Sequence, residues 1–307
     1  MGPVTITVLV PDDDGMRALA EVDGVRPVRY DSGKPLPPEA ADAEVLIPGP
    51  GAAQRAESLL AGLPRLRLIQ LLSAGAETWV NVLPDGVLLA TCRGAHSGAT
   101  AEWAVAALLS MYRELDAFAE ARGERAWAPR STDSLQGKRV LVVGAGDVGG
   151  ALRRRLEPFD ARVTMVGLSA REGVHGVDEL PELLPDADVV VLLVPLTSRT
   201  RGMVDAAFLA AMPDGAILVN AARGQVVDTQ ALLAELKAGR LRAALDVTDP
   251  EPLPGDHPLW TVPGVLITPH VAGSVSGARR RSYAVAVAEI ERYVQGELPD
   301  NLVHGEY

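Results

Sequence analysis

The sequence predicts an α/β protein of two parallel-sheet domains, and three observations carry that prediction. Short β-rich apolar runs alternate with helix-like stretches twice, once over residues 4–91 and again from Lys138 onward. A long Ala-rich helical pattern over residues 100–118 separates the two series. At the head of the second series, Val140-Leu141-Val142-Val143 runs into Gly144-x-Gly146-x-x-Gly149, and polar and basic helix-forming residues follow at once. Strands alternating with helices give parallel sheets covered on both faces. Such sheets take ligands beyond the carboxyl ends of their strands, so a cleft between the two domains is expected.

In the first series, residues 4–10 read as a strand, and Pro11-Asp12-Asp13-Asp14-Gly15 as a turn that starts a helix. Further strands are predicted at 25–30, 44–47, 66–71 and 87–91, with a helix at 52–61. The Pro-rich residues 34–43 and Pro48-Gly49-Pro50-Gly51 read as loops. The pattern over 100–118 is apolar on most sides, as in a helix buried in a protein or at a subunit contact, and it is read as a bridge between domains. In the second series, strands are predicted at 140–143, 163–166, 189–194, 216–219, 242–245 and 265–268. Helices fit between them at 148–157, 178–184, 205–212 and 229–238, with Gly239 as a C-terminal stop. A last helix over 276–295 carries the chain back, so that its end rejoins the first domain. The predicted division is 1–97 plus 287–307 for one domain and 98–286, with the bridging helices, for the other. Both are expected to be Rossmann-like or flavodoxin-like.

Composition narrows the class. A chain of 307 residues suits two domains, and 48% hydrophobic residues suffice for sizeable cores. The net charge of −11 argues against a nucleic-acid footprint or an anionic membrane surface. The single cysteine, Cys92, leaves no internal disulfide and fits a reducing compartment. No basic leader with an apolar core opens the chain, and no apolar run approaches the ~20 residues needed to span a bilayer. A cytoplasmic protein without nucleic-acid or membrane partners is expected, and no metal-ligand set is assigned.

The glycine-rich stretch carries the first chemistry. A strand, a tight turn and a helix in that order bring backbone N–H groups and a helix N-terminus against a pyrophosphate. Gly144 can take the turn geometry, Gly146 lets the backbone approach the phosphates, and Gly149 lets helix and strand pack closely. With Asp147 and Val148 between them, these residues form the predicted dinucleotide site.

Three more features follow predicted strands. Val219-Asn220-Ala221-Ala222-Arg223-Gly224 places an arginine whose planar fork of donors suits a carboxylate. Leu245 to Leu253 holds Asp246 and Glu251 on a proline-bounded loop, and Thr268-Pro269-His270-Val271-Ala272-Gly273 fixes a histidine at another strand end. A histidine whose second ring nitrogen meets a carboxylate is held in one tautomer, and its protonated form is stabilised. His270 with Glu251 is therefore a candidate acid–base pair, and Arg223 a candidate to polarise a carbonyl. Any one of them alone would be an ordinary polar loop residue; the set, each at a strand end of a dinucleotide domain, is what points to a site.

With these motifs in place, the chain resembles the D-isomer-specific 2-hydroxyacid dehydrogenase family over nearly all of its length. The resemblance rests on Ser73-Ala74-Gly75, Gly144-x-Gly146-x-x-Gly149, Pro195-Leu196-Thr197, Asn220 to Gly224, Asp246 to Pro252, and Pro269 to Gly273. It implies catalytic roles for Arg223, Glu251 and His270. It implies that residues 72–75 (Leu72, Ser73, Ala74, Gly75), with Arg223 and His270, meet the substrate, Ser73 to Gly75 through backbone N–H groups that receive its carboxylate. Pro195, Thr200, Ala221, Ala222, Asp246, His270 and Gly273 are implied to line the cofactor. The reaction implied is reversible hydride transfer between a nicotinamide cofactor and a small 2-oxoacid or D-2-hydroxyacid, by a homodimer formed through the nucleotide domain. The 100–118 helix would belong to that dimer contact.

One departure bears on the cofactor. Where NAD-preferring members carry an acid that accepts from the ribose 2′-OH, this chain has Gly167, followed by Ser169 and Arg171. With no carboxylate to repel a 2′-phosphate and an arginine able to pair with it, NADP(H) is favoured over NAD(H).

Within the class, formate and phosphite dehydrogenases are disfavoured. Thr268-Pro269 precedes His270 where formate enzymes place a Gln, and no Lys stands near Ser73 as in phosphite enzymes. The loops at 48–53 and 71–75 are small and apolar, so they select no particular 2-oxoacid. The alternative reading is a cofactor-sensing interaction protein of corepressor type, but no peptide groove is legible in the sequence. His96, near the domain crossover, could reach the cleft but reads rather as a loop or hinge residue, His257 and Trp260 as shaping the loop before His270, Trp103 and Trp127 as packing or interface residues, and Cys92 as packing.

Overall fold

The computed structural model describes residues 5–305. Val4 of the first predicted strand, and the outermost residues of the predicted first domain, lie outside them. The chain divides into two compact units, one reaching to His96 and resuming at Ser276, the other running from Ser97 to Val275.

In chain order, the first unit contains β1 (Ile6–Val10), α1 (Asp13–Leu19), β2 (Val25–Arg29), β3 (Ala43–Leu46), α2 (Ala56–Ala61), β4 (Leu68–Gln70), α3 (Glu77–Val80) and β5 (Leu88–Ala90). The sheet is all parallel with order β2-β1-β3-β4-β5. Every residue of β1 is buried, as expected of a central parallel strand covered on both faces. Asp12 starts α1 by accepting from the Gly15 N–H at 2.9 Å, so the acidic turn read from the sequence is an N-cap. The four-residue α3 was not expected, and the 52–61 helix begins with a 3₁₀ turn.

The second unit opens with α4 (Ser97–Tyr112) and α5 (Leu115–Gly123), where the sequence predicts one helix over 100–118. Glu114 adopts a left-handed conformation with φ 50°, which ends α4 and turns the chain into α5. There follow β6 (Arg139–Val143), α6 (Asp147–Leu156), β7 (Arg162–Gly167), β8 (His175–Gly176), α7 (Leu180–Leu183), β9 (Val189–Leu192), α8 (Ala206–Ala211), β10 (Ile217–Asn220), α9 (Thr229–Lys237), β11 (Arg242–Leu245) and β12 (Val265–Ile267). This sheet is also parallel, in the order β12-β11-β10-β9-β6-β7-β8. Two apolar clusters fill its faces, one with α7, α8 and α9 and one with α4 and α6. Gly149, Leu152 and Leu156 are buried on one stripe of α6, while Asp147 at its start and Arg153, Arg154 and Arg155 at its end complement the helix dipole.

The final helix, α10 (Ala278–Val294), belongs to the first unit. The sequence division at residue 287 cuts this helix in two, whereas the compact units part at Ser276. Tyr283, Ala286 and Ile290 join the core of the first sheet, so helical periodicity commits the whole helix to one side. The segment after it returns to β5, with Val303 N–H donating to Leu89 O and Thr91 N–H to Asn301 O.

No helix among the described residues is long and apolar enough to cross a membrane.

Candidate active site

Register places the predicted site residues of the second unit along one edge of its sheet. Val166, Val143, Leu192, Asn220, Leu245 and Ile267 are successive neighbours across β7, β6, β9, β10, β11 and β12. Gly144, Pro195, Ala221 to Arg223, Asp246 and His270 all follow within three residues of this row, and Ser169 and Arg171 follow β7. At ~4.8 Å between strands, the row spans roughly 24 Å.

The glycine turn fits a dinucleotide on the spacing of its own atoms. A Cβ on Gly144, which has φ +124°, would lie 2.5 Å from the Leu193 carbonyl oxygen, and one on Gly149 would run into the Gly144 carbonyl. Both positions therefore require glycine for strand and helix to pack. No atom lies within 4 Å of the corresponding position on Gly146, so the approach to the start of α6 is open. Gly146 and Asp147 are exposed, Val148 is half-buried, and Gly149 is buried.

At the end of β7, Arg171 folds back over Gly167, and its Nη2 donates to Ala145 O at 2.9 Å. Ser169 and Arg171 are both exposed. Thr200 Oγ1 donates to Pro195 O at 2.6 Å and accepts from Thr197 N–H at 2.8 Å. Its hydroxyl thus closes the 195–200 turn, leaving Pro195 exposed.

His270 and Glu251 meet directly: His270 Nδ1 lies 2.7 Å from Glu251 Oε1. Both side chains are partly open to solvent, at 48% and 38% exposure. A carboxylate only accepts, so Nδ1–H donates and the ring presents Nε2 outward. His270 takes a left-handed backbone with φ 54°. Asp246 holds it there. One Asp246 oxygen accepts from Thr268 Oγ1 at 2.6 Å and Val271 N–H at 2.8 Å, the other from Ala272 N–H at 2.9 Å, and Asp246 O accepts from His270 N–H at 2.8 Å. Asp246 is only 3% exposed, and its carboxylate organises the histidine loop. Gly273 is half-buried at the end of that loop.

Arg223 is set by a residue to which sequence reasoning gave no role. Asn220, buried at the end of β10, donates from Nδ2 to Arg223 O at 3.0 Å and accepts the Ala222 N–H at 3.0 Å. Arg223 Nη1 in turn donates to Ala222 O at 2.6 Å. Ala222, expected at the cofactor, is buried with both backbone polar groups engaged, because Asn220 draws it inward; Ala221 is the more open of the two. A Cβ on Gly224 would strike the Thr248 carbonyl, so this glycine lets the arginine loop pack on the segment leading to Glu251. A buried amide at a strand end, followed by small residues and glycine, is the signal that could have found this brace.

Leu72, Ser73, Ala74 and Gly75 follow β4 in the first unit. Leu72, Ala74 and Gly75 are half-buried and Ser73 is exposed. The secondary candidates fall as structural residues. His257 Nδ1 accepts from Leu259 N–H at 3.3 Å, and Trp260 Nε1 donates to Pro254 O at 2.8 Å. Trp103 packs against the α4–α6 core. Burial pushes the Cys92 thiol up to about 12, the opposite of an activated nucleophile.

A glycine turn at a helix start, with a carboxylate-held histidine and an arginine along the same sheet edge, defines a dinucleotide-dependent oxidoreductase. Residues 105–272 match the family described as D-isomer specific 2-hydroxyacid dehydrogenase, NAD binding domain. A glyoxylate reductase of Thermofilum pendens is 32% identical over 258 residues, covering 79% of this chain and 76% of its own. A formate dehydrogenase of Neurospora crassa is 31% identical, covering 86% of this chain and 78% of its own. Among solved structures, a D-isomer specific 2-hydroxyacid dehydrogenase from Xanthobacter autotrophicus Py2, in complex with NADPH and MES, is 31% identical with a TM-score of 0.81, over 98% of both chains. The chain belongs to the D-isomer specific 2-hydroxyacid dehydrogenase family. It is an NAD(P)-dependent 2-hydroxyacid dehydrogenase. All three relatives carry the name of an enzyme activity, which leaves the corepressor alternative without support.

Proposed function

We propose that the chain is an NADPH-preferring reductase of small 2-oxoacids such as glyoxylate, hydroxypyruvate or a branched relative. The His270–Glu251 pair carries this reading. His270 gives a proton from Nε2 to the substrate C2 carbonyl oxygen as it becomes a hydroxyl. Glu251 holds Nδ1–H, which fixes the tautomer and the orientation of the ring. Arg223 engages the substrate carboxylate and carbonyl, and its charge gains value as negative charge develops on oxygen. Ser73, Ala74 and Gly75 receive the carboxylate through their N–H groups. When bound, the nicotinamide supplies or takes up the hydride. Gly144, Gly146, Asp147, Val148 and Gly149 hold its pyrophosphate, with Pro195, Ala221 and Gly273 towards the nicotinamide. Thr200, Ala222 and Asp246 complete the cofactor side, Thr200 by closing the 195–200 turn and Asp246 by fixing the His270 loop.

The preference for NADPH rests on Gly167, Ser169 and Arg171, a strand end with a cation and a hydroxyl where a carboxylate would repel a 2′-phosphate. The Xanthobacter relative, in complex with NADPH, supports the same choice. A panel of 2-oxoacids assayed with each cofactor tests both halves. NADPH is expected to give the higher kcat/KM, and Arg171→Ala to reduce that advantage by about tenfold, the worth of one charge-assisted hydrogen bond. A higher kcat/KM with NADH would refute the preference, and no turnover with any 2-oxoacid would refute the substrate class.

The nucleotide-binding unit is further proposed to form a homodimer in the cytoplasm. Trp127 is 95% exposed, and with Phe118, Ala126 and Pro129 it lines a largely apolar hollow on the arm following α4 that Arg122 and Arg125 also border. Light scattering is expected to give twice the chain mass, and Trp127→Asp to shift it towards one chain. A wild-type protein that scatters as a single chain would sink this assembly.

A further inference from the structure

The turn after β4 is held by its carbonyls. Gln70 Nε2 donates to Leu71 O at 3.0 Å and to Thr91 O at 3.2 Å. His96 Nε2 lies 3.2 Å from Leu72 O, and the Cys92 N–H donates to Ser73 O at 2.8 Å. A carbonyl only accepts, so His96 Nε2 carries the hydrogen of this bond. With that hydrogen on Nε2, Ser282 Oγ on α10, 3.1 Å away and 2% exposed, can only accept a share of it, so the hydrogen lies between Leu72 O and Ser282 Oγ and ties the turn to α10.

In a trans peptide unit the C=O and N–H point in opposite directions. Holding the Leu72 carbonyl towards His96 therefore directs the Ser73 N–H away from it. Holding the Ser73 carbonyl on Cys92 does the same for the Ala74 N–H. The Cys92 hold is backbone and survives any change of side chain, whereas the Leu72 hold depends on an imidazole. A donor that needs no reorientation when an anion arrives costs nothing at binding, which is the basis of preorganised recognition.

We propose that His96 is a positioning residue for substrate recognition, fixing the Leu72–Ser73 peptide so that the Ser73 N–H is preset for the carboxylate of the 2-oxoacid. The proposal rests on the reading of residues 72–75 as the carboxylate site.

Steady-state kinetics on the full chain test it, with saturating NADPH and the most rapidly reduced 2-oxoacid of the panel. Four variants are compared: His96→Leu, His96→Gln, His96→Asn and Ser73→Pro. Leucine fills similar space without a donor, glutamine places an amide donor within reach of the imidazole Nε2 position, and asparagine falls short of it. Proline removes the Ser73 N–H outright. His96→Leu is expected to raise KM about tenfold with kcat changed by less than about twofold, as for loss of one binding hydrogen bond. NADPH affinity should stay unchanged, His96→Gln should recover most of the KM, and Ser73→Pro should raise it at least as far. If Ser73→Pro raises KM and His96→Leu does not, the role of His96 fails and the carboxylate site stands. If Ser73→Pro folds, binds NADPH and leaves KM unchanged, the carboxylate site fails and the proposal with it. Equal impairment of His96→Gln and His96→Leu, with a shared fall in Tm, would assign His96 to packing. Should His96→Leu not fold, the Gln and Asn variants carry the comparison; equal KM values in that pair overturn the proposal.

Discussion

His270→Ala is expected to lower kcat by roughly 10²- to 10⁴-fold, the usual worth of a positioned general acid. NADPH binding, measured by fluorescence titration, should change little. The expectation follows from how the histidine is held. Its backbone is fixed by Asp246, and its Nδ1 by Glu251 at 2.7 Å, so the side chain ends in a single outward Nε2. Removing the imidazole leaves the Asp246 network of Thr268, Val271 and Ala272 in place, because those bonds involve no atom of the ring. Loss of cofactor affinity in parallel with kcat would instead mean that the ring is a structural part of the strand end.

Arg223→Met should reduce kcat/KM by about 10²- to 10³-fold, as expected when a preorganised cation facing a developing oxyanion is lost. Arg223→Lys should recover little of it, since an ammonium cannot reproduce the planar fork. The arginine is delivered by a short bridge of bonds: Asn220 grips Arg223 O, and Arg223 Nη1 grips Ala222 O. A lysine stem would leave that second contact unmade. If the lysine variant retained near wild-type kcat/KM, point charge alone would account for the role, and the need for the planar fork would fall.

The parallel strands were legible because buried strands demand runs of β-branched and aliphatic residues, and the start of α1 because of its acidic turn; that Asp205 caps its helix from outside came only from the structure. The break at Glu114 was not legible, since a non-glycine residue in a left-handed conformation leaves no mark in composition. Nor was β8, whose two residues are too few for periodicity to register. In the site, His270 and Glu251 could be paired from their motifs. The braces could not. Asn220 works through the closure of its own loop, and His96 through partners 24 and 186 residues away. Ala222 and Asp246 show the same limit: their motifs place them near the site, while only the fold shows that both are buried and hydrogen-bonded there.

The backbone of His270 carries a consequence for anyone improving the protein's robustness. A side-chain-bearing residue at φ 54° sits in a region that glycine enters freely and asparagine tolerates, and holding other residues there costs on the order of 1 kcal/mol. Selection or design that scores only resistance to heat will therefore favour glycine or asparagine at this position. Either would relax the chain and discard the proton donor. The position is one where evolution under functional constraint and optimisation for durability pull in opposite directions, so a library ranked by melting behaviour should hold residue 270 fixed.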